Sequence, residues 1–204
     1  MTEEDLPRIA AWLRLPHVDR WWTPDTTADA ELGTYRLRIG PGAMHDTIML
    51  TALRDGQPIG WCQWYLWADY PDEEAAMGAR PGEAGIDYAI GDPAWIGRGT
   101  GTELISALVA EIRRLHPGAG VLVGPDAANI ASRRVLEKNG FELVGVRPVA
   151  TEPTDAPVAI YRLPGPPGGI VRVRTRAAGG LAGELAHELR LGAAGRRASV
   201  DTAI

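Results

Sequence analysis

One cysteine, Cys62, stands in 204 residues, so the chain has no partner for an internal disulfide. It sits in an apolar stretch with a strand pattern and reads as a small buried residue rather than a nucleophile. No run of roughly 18 apolar residues is present to cross a bilayer, and no charged-then-apolar leader opens the chain. The protein is therefore read as cytoplasmic, with no membrane partner. The four histidines are scattered without ligand spacing, so no metal is expected. Two phosphate motifs are also missing from the glycine-rich stretch at 97–101. A Walker loop ends in Gly-Lys-Ser/Thr, and a dinucleotide fingerprint needs a third glycine three residues after the second. Here Arg98 interrupts the glycines and Thr102 occupies the third glycine's place.

Charge is scarce in one direction over most of the chain. Residues 164–204 hold six arginines against Glu184, Glu188 and Asp201, a net of +3, so the overall −5 leaves −8 on residues 1–163. Such a body is unsuited to nucleic acid, whose phosphates reward clustered cations, and suits a cationic small molecule. The same C-terminal stretch has no aromatic residue, begins with a Pro/Gly cluster at 164–169 and is dominated by Gly, Ala and Arg. It has little apolar surface to bury and is read as a mostly disordered tail behind one domain at 1–163.

What is there is concentrated between residues 85 and 112. A short apolar run carrying one carboxylate, Asp87, leads through a turn into Gly97, Gly99 and Gly101. A helix follows, with Leu104, Ile105, Leu108, Val109, Ile112 and Leu115 recurring at three- and four-residue spacing. Strand, glycine loop and helix start in series make an anion cradle, because glycines let the backbone approach a ligand and the first helical N–H groups lack internal partners. A glycine-rich turn before a core helix is the alternative reading of the loop alone. An aspartate between Ile86 and Tyr88 in an apolar run is costly unless it is used. Asp87 is either a functional carboxylate or a strand-end residue.

A second segment agrees with the first. Residues 129–141, Asn129-Ile-Ala-Ser-Arg-Arg-Val-Leu-Glu-Lys-Asn-Gly-Phe141, form a helix stopped by a left-handed Gly140, and the apolar run 120–124 between the two helices reads as a buried strand. In order and spacing these segments resemble the GNAT superfamily of N-acetyltransferases, whose loop pattern is Gln/Arg-x-x-Gly-x-Gly and whose second helix reads Asn-x-x-Ala/Ser to Glu-Lys-x-Gly-Phe. Ile96 departs from the loop pattern. The expected fold is α/β (α+β), a mixed central sheet with helices on both faces. Helix 5–13, the Trp-Trp segment 17–22, a β-hairpin of 47–54 and 58–67 turning at Asp55-Gly56, and last strands at 142–149 and 156–163 complete it. Residues 68–83 read as a loop. The superfamily's first strand is missing ahead of the first helix, which suggests a late start site or a truncated chain.

Within the superfamily the chain resembles aminoglycoside 6′-N-acetyltransferases over 1–163. The shared residues are Asp5 to Leu13, His17 to Trp22, Pro58-Ile-Gly-Trp-Cys-Gln-Trp-Tyr65, the acidic stretch Asp69 to Glu74 with Glu83, and Gly85-Ile-Asp87. The resemblance implies acetyl transfer from acetyl-CoA to a primary amine, with an aminoglycoside as substrate and antibiotic resistance as outcome. It implies Asp87 as catalytic base and substrate anchor. It places the coenzyme on Ile90, Ile96, Gly97, Arg98, Gly99, Thr100, Gly101, Thr102, Asn129 and Ser132. For the substrate it offers Trp22, Tyr65, Asp69, Asp72, Glu73, Asp87 and Asp126, with Trp67 as a further wall, since carboxylates and aromatic faces suit ammonium-bearing rings. Leu136 stands where the superfamily often carries a tyrosine that reprotonates the thiolate. A lysine or hydroxylysine N-acyltransferase of siderophore synthesis is the alternative substrate reading, and a degenerate acetyl-CoA-binding domain is the non-enzymatic one. A monomer or a homodimer is expected.

Overall fold

The computed structural model describes residues 1–22, 28–39, 46–151 and 155–166, with the backbone alone at 28–29, 171–173 and 187–189. A 3₁₀ turn at Glu3–Asp5 leads into α1 (Leu6–Leu13), α2 (Pro16–Trp22) and α3 (Ala28–Arg38). The hairpin follows as β1 (Ile48–Arg54) and β2 (Gln57–Leu66), then α4 (Pro71–Met77), β3 (Ala84–Ile90), α5 (Thr100–Leu115), β4 (Val121–Val123), α6 (Ile130–Lys138), β5 (Glu142–Arg147) and β6 (Val158–Leu163). Two three-residue strands, β7 (Val171–Val173) and β8 (His187–Leu189), pair antiparallel within the stretch read as a disordered tail. The rest of that stretch beyond residue 166 lies outside the described residues. No described helix is long and apolar enough to cross a membrane.

Six strands form one sheet in the order β1-β2-β3-β4-β6-β5. Asp55 and Gly56 turn the hairpin with φ of 51° and 75°, both in the left-handed region that a tight two-residue turn requires. Every pairing is antiparallel except β3 with β4, which is parallel. That parallel ladder consists of one pair, Ala84 with Val121. From there β3 keeps its full register with β2, down to Ile90 opposite Gly60. The chain after β4 keeps company with β6 instead, through Pro125 O accepting from Ala159 N at 2.9 Å and Ala127 N donating to Pro157 O at 2.8 Å. Pro125 has no N–H to offer β3. The sheet therefore splits between β3 and β4.

Three apolar clusters cover the two faces. On one face α5 and α6 pack Ile105, Leu108, Val109, Ile112 and Leu136 against Ile86, Val121, Val123 and Tyr161. Leu115, read as part of the buried stripe, is 44% exposed at the helix end. On the other face Leu6, Ile9, Trp12 and Leu13 of α1, with Val18 and Tyr35, close over Met49 and Trp61. A third cluster joins Trp67 and Met77 to Leu122, Val158 and Ile160 on that same face. The gap between β3 and β4 lies between the second and third clusters.

Three further sequence readings change. Residues 68–83 are not a plain loop. Trp67–Asp69 is a 3₁₀ turn and Pro71–Met77 is α4, because Pro71 is preset for the first helical position, Asp72, Glu73 and Glu74 favour the positive end of the helix dipole, and Gly78 (φ 72°) caps the end. Helix α3 was not foreseen, since Gly33 and scattered apolar residues give it no sustained stripe; Tyr35 is its fully buried anchor. The strand expected at 142–149 ends at Arg147, and the one expected from 156 begins at Val158. Among the described residues no strand precedes α1, and the Met1 ammonium donates to Met49 O at 3.3 Å.

Candidate active site

The split in the sheet holds a cleft of about 850 Å³, within the range of small-molecule sites. It reaches both faces. On the α5/α6 face its lining includes Ile96, Gly97, Gly101, Asn129, Ser132 and Val135; on the other face Trp22, Glu31, Tyr35, Arg38 and Gln63. Asp87 and Tyr88 line its waist and, as consecutive strand residues, project to opposite faces.

Asp87 sits directly opposite Gln63 in the β2–β3 register. The Gln63 amide Nε2 donates to Asp87 Oδ2 at 2.7 Å, and Arg38 Nη1 donates to Gln63 Oε1 at 3.1 Å. Burial pushes the Asp87 carboxyl above the usual carboxylate range, against the opposing pull of the Gln63 hydrogen bond and the Arg38 charge. Glu31, two turns before Arg38 on the same face of α3, is also pushed up by burial, partly offset by the Tyr35 hydroxyl and Arg38 and reinforced by Asp87. Tyr88 turns the other way, its hydroxyl 2.6 Å from Ser132 Oγ, and burial pushes it up to about 12. The wall on the α2/α3 side is aromatic. Trp22 Nε1 donates to the Tyr35 hydroxyl and the Trp22 ring meets Trp61 edge-on at 5.0 Å.

The glycine loop is shaped as an anion cradle. Gly97 and Gly99 have φ of 75° and 83°, and no atom lies within 4 Å of where a side chain on either would begin. Gly99 is the N-cap of α5, its carbonyl accepting from Thr102 N and Glu103 N. Gly101 has a packing reason as well, since a Cβ there would stand 3.2 Å from Val135 of α6.

The structure brings some expected site residues together and not others. Asp87, Ile90, Ile96, Gly97, Gly101, Asn129, Ser132, Trp22 and Asp126 line the cleft. Arg98, Gly99 and Thr102 belong to the loop and helix start beside it, and Thr100 is buried. Asn129 is also the N-cap of α6, its Oδ1 accepting from Ser132 N, and Asp126 Oδ1 accepts from Ala128 N at 2.7 Å. Tyr65 and Trp67 do not line the cleft; they pack edge-to-face at 5.1 Å in the third cluster. Asp69, Asp72 and Glu73 lie outside it too, Asp72 and Glu73 exposed on the first turn of α4. Leu136 is fully buried. Sequence reasoning missed Glu31, Tyr35 and Arg38, because α3 was not recognised, and Gln63 and Tyr88, whose flanks read as strand core. The Gln63 position beside a carboxylate-bearing strand was the one available signal. Cys62 is buried, and burial pushes its thiol up to about 12. Among the described residues no group of three or more metal-capable side chains occurs.

The profile of the acetyltransferase (GNAT) domain matches residues 1–148. The aminoglycoside N(6′)-acetyltransferase type 1 of Klebsiella pneumoniae is 30% identical over 147 residues, covering 71% of this chain and 73% of that protein. The lysine N-acyltransferase MbtK of Mycobacterium tuberculosis is 29% identical over 171 residues, covering 79% and 74%. Among solved structures, AAC(6′)-Ib in complex with ribostamycin and coenzyme A superposes with a TM-score of 0.68 at 27% identity, over 80% of this chain and 90% of that one. A split mixed sheet, a glycine loop at a helix start and these matches together place the chain in the GNAT acetyltransferase family, as an N-acetyltransferase.

Proposed function

We propose that the protein transfers the acetyl group of acetyl-CoA to the 6′-amine of an aminoglycoside, with Asp87 as the base. The observation that carries this is the cleft through the sheet, with the open glycine loop on one face, an acidic and aromatic wall on the other, and Asp87 between them. Acetyl-CoA supplies an activated acyl group when bound. The residues present fit it, since Gly97 and Gly99 leave open space where side chains would begin, beside a helix start where a pyrophosphate is favoured. Ile90, Asn129 and Ser132 line the same cleft as that loop and Asp87. Asp87 anchors the substrate ammonium and accepts its proton. An ordinary carboxyl, near 3.9, is a poor base for an amine, and the burial that lifts Asp87 narrows that gap. The acids facing the substrate are Glu31, Asp87 and Asp126 rather than the acids of α4, with Trp22 as an aromatic wall.

One observation favours a second reading. Arg20 and Arg38 also line the acceptor side, and a substrate carrying a carboxylate besides its amine, such as a lysine or hydroxylysine side chain, would meet them. Thiol release with acetyl-CoA, measured across a panel of aminoglycosides, lysine and hydroxylysine, tests both, with mass spectrometry locating the acetyl group. Turnover confined to the amino acids overturns the aminoglycoside reading, and turnover with none of them overturns both.

A further inference from the structure

The side chain of Asp87 is held by a short chain of contacts running back into α3. Arg38 Nη1 donates to Gln63 Oε1 at 3.1 Å, and Gln63 Nε2 donates to Asp87 Oδ2 at 2.7 Å. A guanidinium has donors and no acceptor, so the Gln63 atom facing Arg38 is the oxygen and the amide nitrogen is left facing Asp87. Gln63 is 7% exposed. Turning its amide over would set N–H against N–H at one end and oxygen against oxygen at the other, each unmade buried contact costing about 1–3 kcal/mol. The Gln63 and Asp87 backbones are fixed opposite each other by the strand register. Arg38 Nε is buried with no hydrogen-bond partner among the described residues, so the Nη1 bond to Gln63 anchors the guanidinium.

We propose that Arg38 and Gln63 are positioning residues for Asp87: Arg38 fixes the Gln63 amide, the amide occupies Asp87 Oδ2, and Asp87 Oδ1 takes the proton from the substrate amine. This rests on the reading of Asp87 as the base. In that step the N–H bond of the substrate nitrogen breaks, its electron pair stays on nitrogen, and the proton bonds to Oδ1, from which it passes to water in the open cleft. Protonation at Oδ2 would weaken its acceptance from the Gln63 N–H, whereas Oδ1 is not held by that amide. The other charged or titratable groups around Asp87 do not make this contact. Glu31 and Tyr35 face it from α3 and Arg20 from α2, His17 Nε2 is held 3.1 Å from Ile90 O, Tyr88 Oη is on Ser132 across the sheet, and Asp126 stands across the gap.

The test uses the full chain carrying Arg38→Met, Gln63→Leu, Arg38→Lys or Asp87→Asn. Carbon-13 NMR follows the Asp87 carboxyl through its titration without coenzyme, the signal being the one that Asp87→Asn removes. Losing the cation or the donor disfavours the ionised carboxylate, so Arg38→Met and Gln63→Leu should move its midpoint to higher pH by about one unit, the lower end for loss of a nearby opposite charge. The acid limb of kcat/KM should move the same way, Arg38→Lys should restore most of it, and coenzyme A affinity by calorimetry should not change. Gln63→Leu keeps nearly the same volume and decides the matter if Arg38→Met fails to fold. An unmoved midpoint in both, or in Gln63→Leu alone where Arg38→Met does not fold, overturns the proposal. Near-normal turnover in Asp87→Asn overturns instead the assignment of Asp87 as base, while the NMR midpoints still decide whether Arg38 and Gln63 control that carboxyl.

Discussion

Replacing Asp87 by Asn should make the protein more stable and nearly inactive at once. The side chain is half-buried at the waist of the cleft, and desolvation there outweighs the Gln63 hydrogen bond and the Arg38 charge in setting its titration. Its folded-state pKa therefore lies above the unfolded value, and the ionised form is penalised only in the fold. The sign follows. At pH 8 the folded protein carries that penalty; as pH falls through the raised pKa the folded carboxyl takes its proton first, and below the ordinary value of 3.8 the penalty is gone. Asn keeps an oxygen for Gln63 Nε2 and carries no charge. Stabilising single substitutions commonly contribute about 0.5–2 kcal/mol. Each 1 kcal/mol raises Tm by about 2–4 °C in a chain of this size. Calorimetry or circular dichroism at pH 8 and pH 5 measures the difference, which should be larger at pH 8. Turnover should fall at least ~100-fold, the scale of a positioned acid–base group. A lower Tm for Asp87→Asn at pH 8, or a gain that grows toward pH 5, would refute the burial argument.

Gly99→Asp should weaken coenzyme A binding at least ~10-fold in calorimetric titration, since the left-handed φ of 83° strains a side chain and a carboxylate enters an anion-binding loop; unchanged affinity in a folded variant removes the loop from the site. Arg162→Met should destabilise by about 3–5 kcal/mol in urea unfolding, because Glu83, 2.7 Å from Arg162 Nε and buried, is left as an unpaired charge; Arg162→Met with Glu83→Gln should recover much of the loss. Cys62 should resist thiol reagents at pH 8 in the folded protein and react readily in urea, since a thiol pushed up to about 12 is thiolate only above that pH; prompt stoichiometric labelling of the folded chain contradicts the burial.

The parts of the fold readable from sequence are those with strong local signals. The α5 stripe, the Asp55-Gly56 turn, the Gly140 stop and the apolar run of β4 each satisfy a periodicity or a backbone requirement that only certain residues meet. Helix α3 gave no such signal, because its main anchor is a single tyrosine whose burial depends on Trp22 and Trp61 meeting it from elsewhere in the chain. Helix α4 was hidden for the opposite reason. Its proline and acids look like a solvated loop until Met77 is seen seated against Leu122 and Val158. The split between β3 and β4 has no local signal beyond Pro125, and one missing N–H does not say which neighbouring strand loses contact. Tyr65 and Trp67 alternate correctly for a substrate wall, yet their rings meet each other and Tyr70 instead of the cleft.

This difference in legibility divides the cleft in two. On the α5/α6 side the features aimed at a ligand are backbone ones, glycine dihedrals and a helix start, and backbone geometry demands particular residues at particular spacing. Chains with little identity can therefore share it. On the other side every feature is a side chain, contributed by α2, α3 and β2: Arg20, Trp22, Glu31, Tyr35, Arg38 and Gln63. Changing one of these alters charge or shape without disturbing the strands that hold Asp87. On the proposed reading, the choice between a polycationic and a zwitterionic amine is made there, by whether Glu31 or Arg20 and Arg38 dominate the potential that the approaching amine meets. Arg38 is committed to Gln63, so its charge acts on Asp87 before it acts on any substrate. Glu31, offset only in part by Arg38, and Asp126 face Arg20 across the opening, and with Asp87 the lining carries three carboxylates against two guanidiniums. The balance tilts toward a substrate with more than one ammonium group.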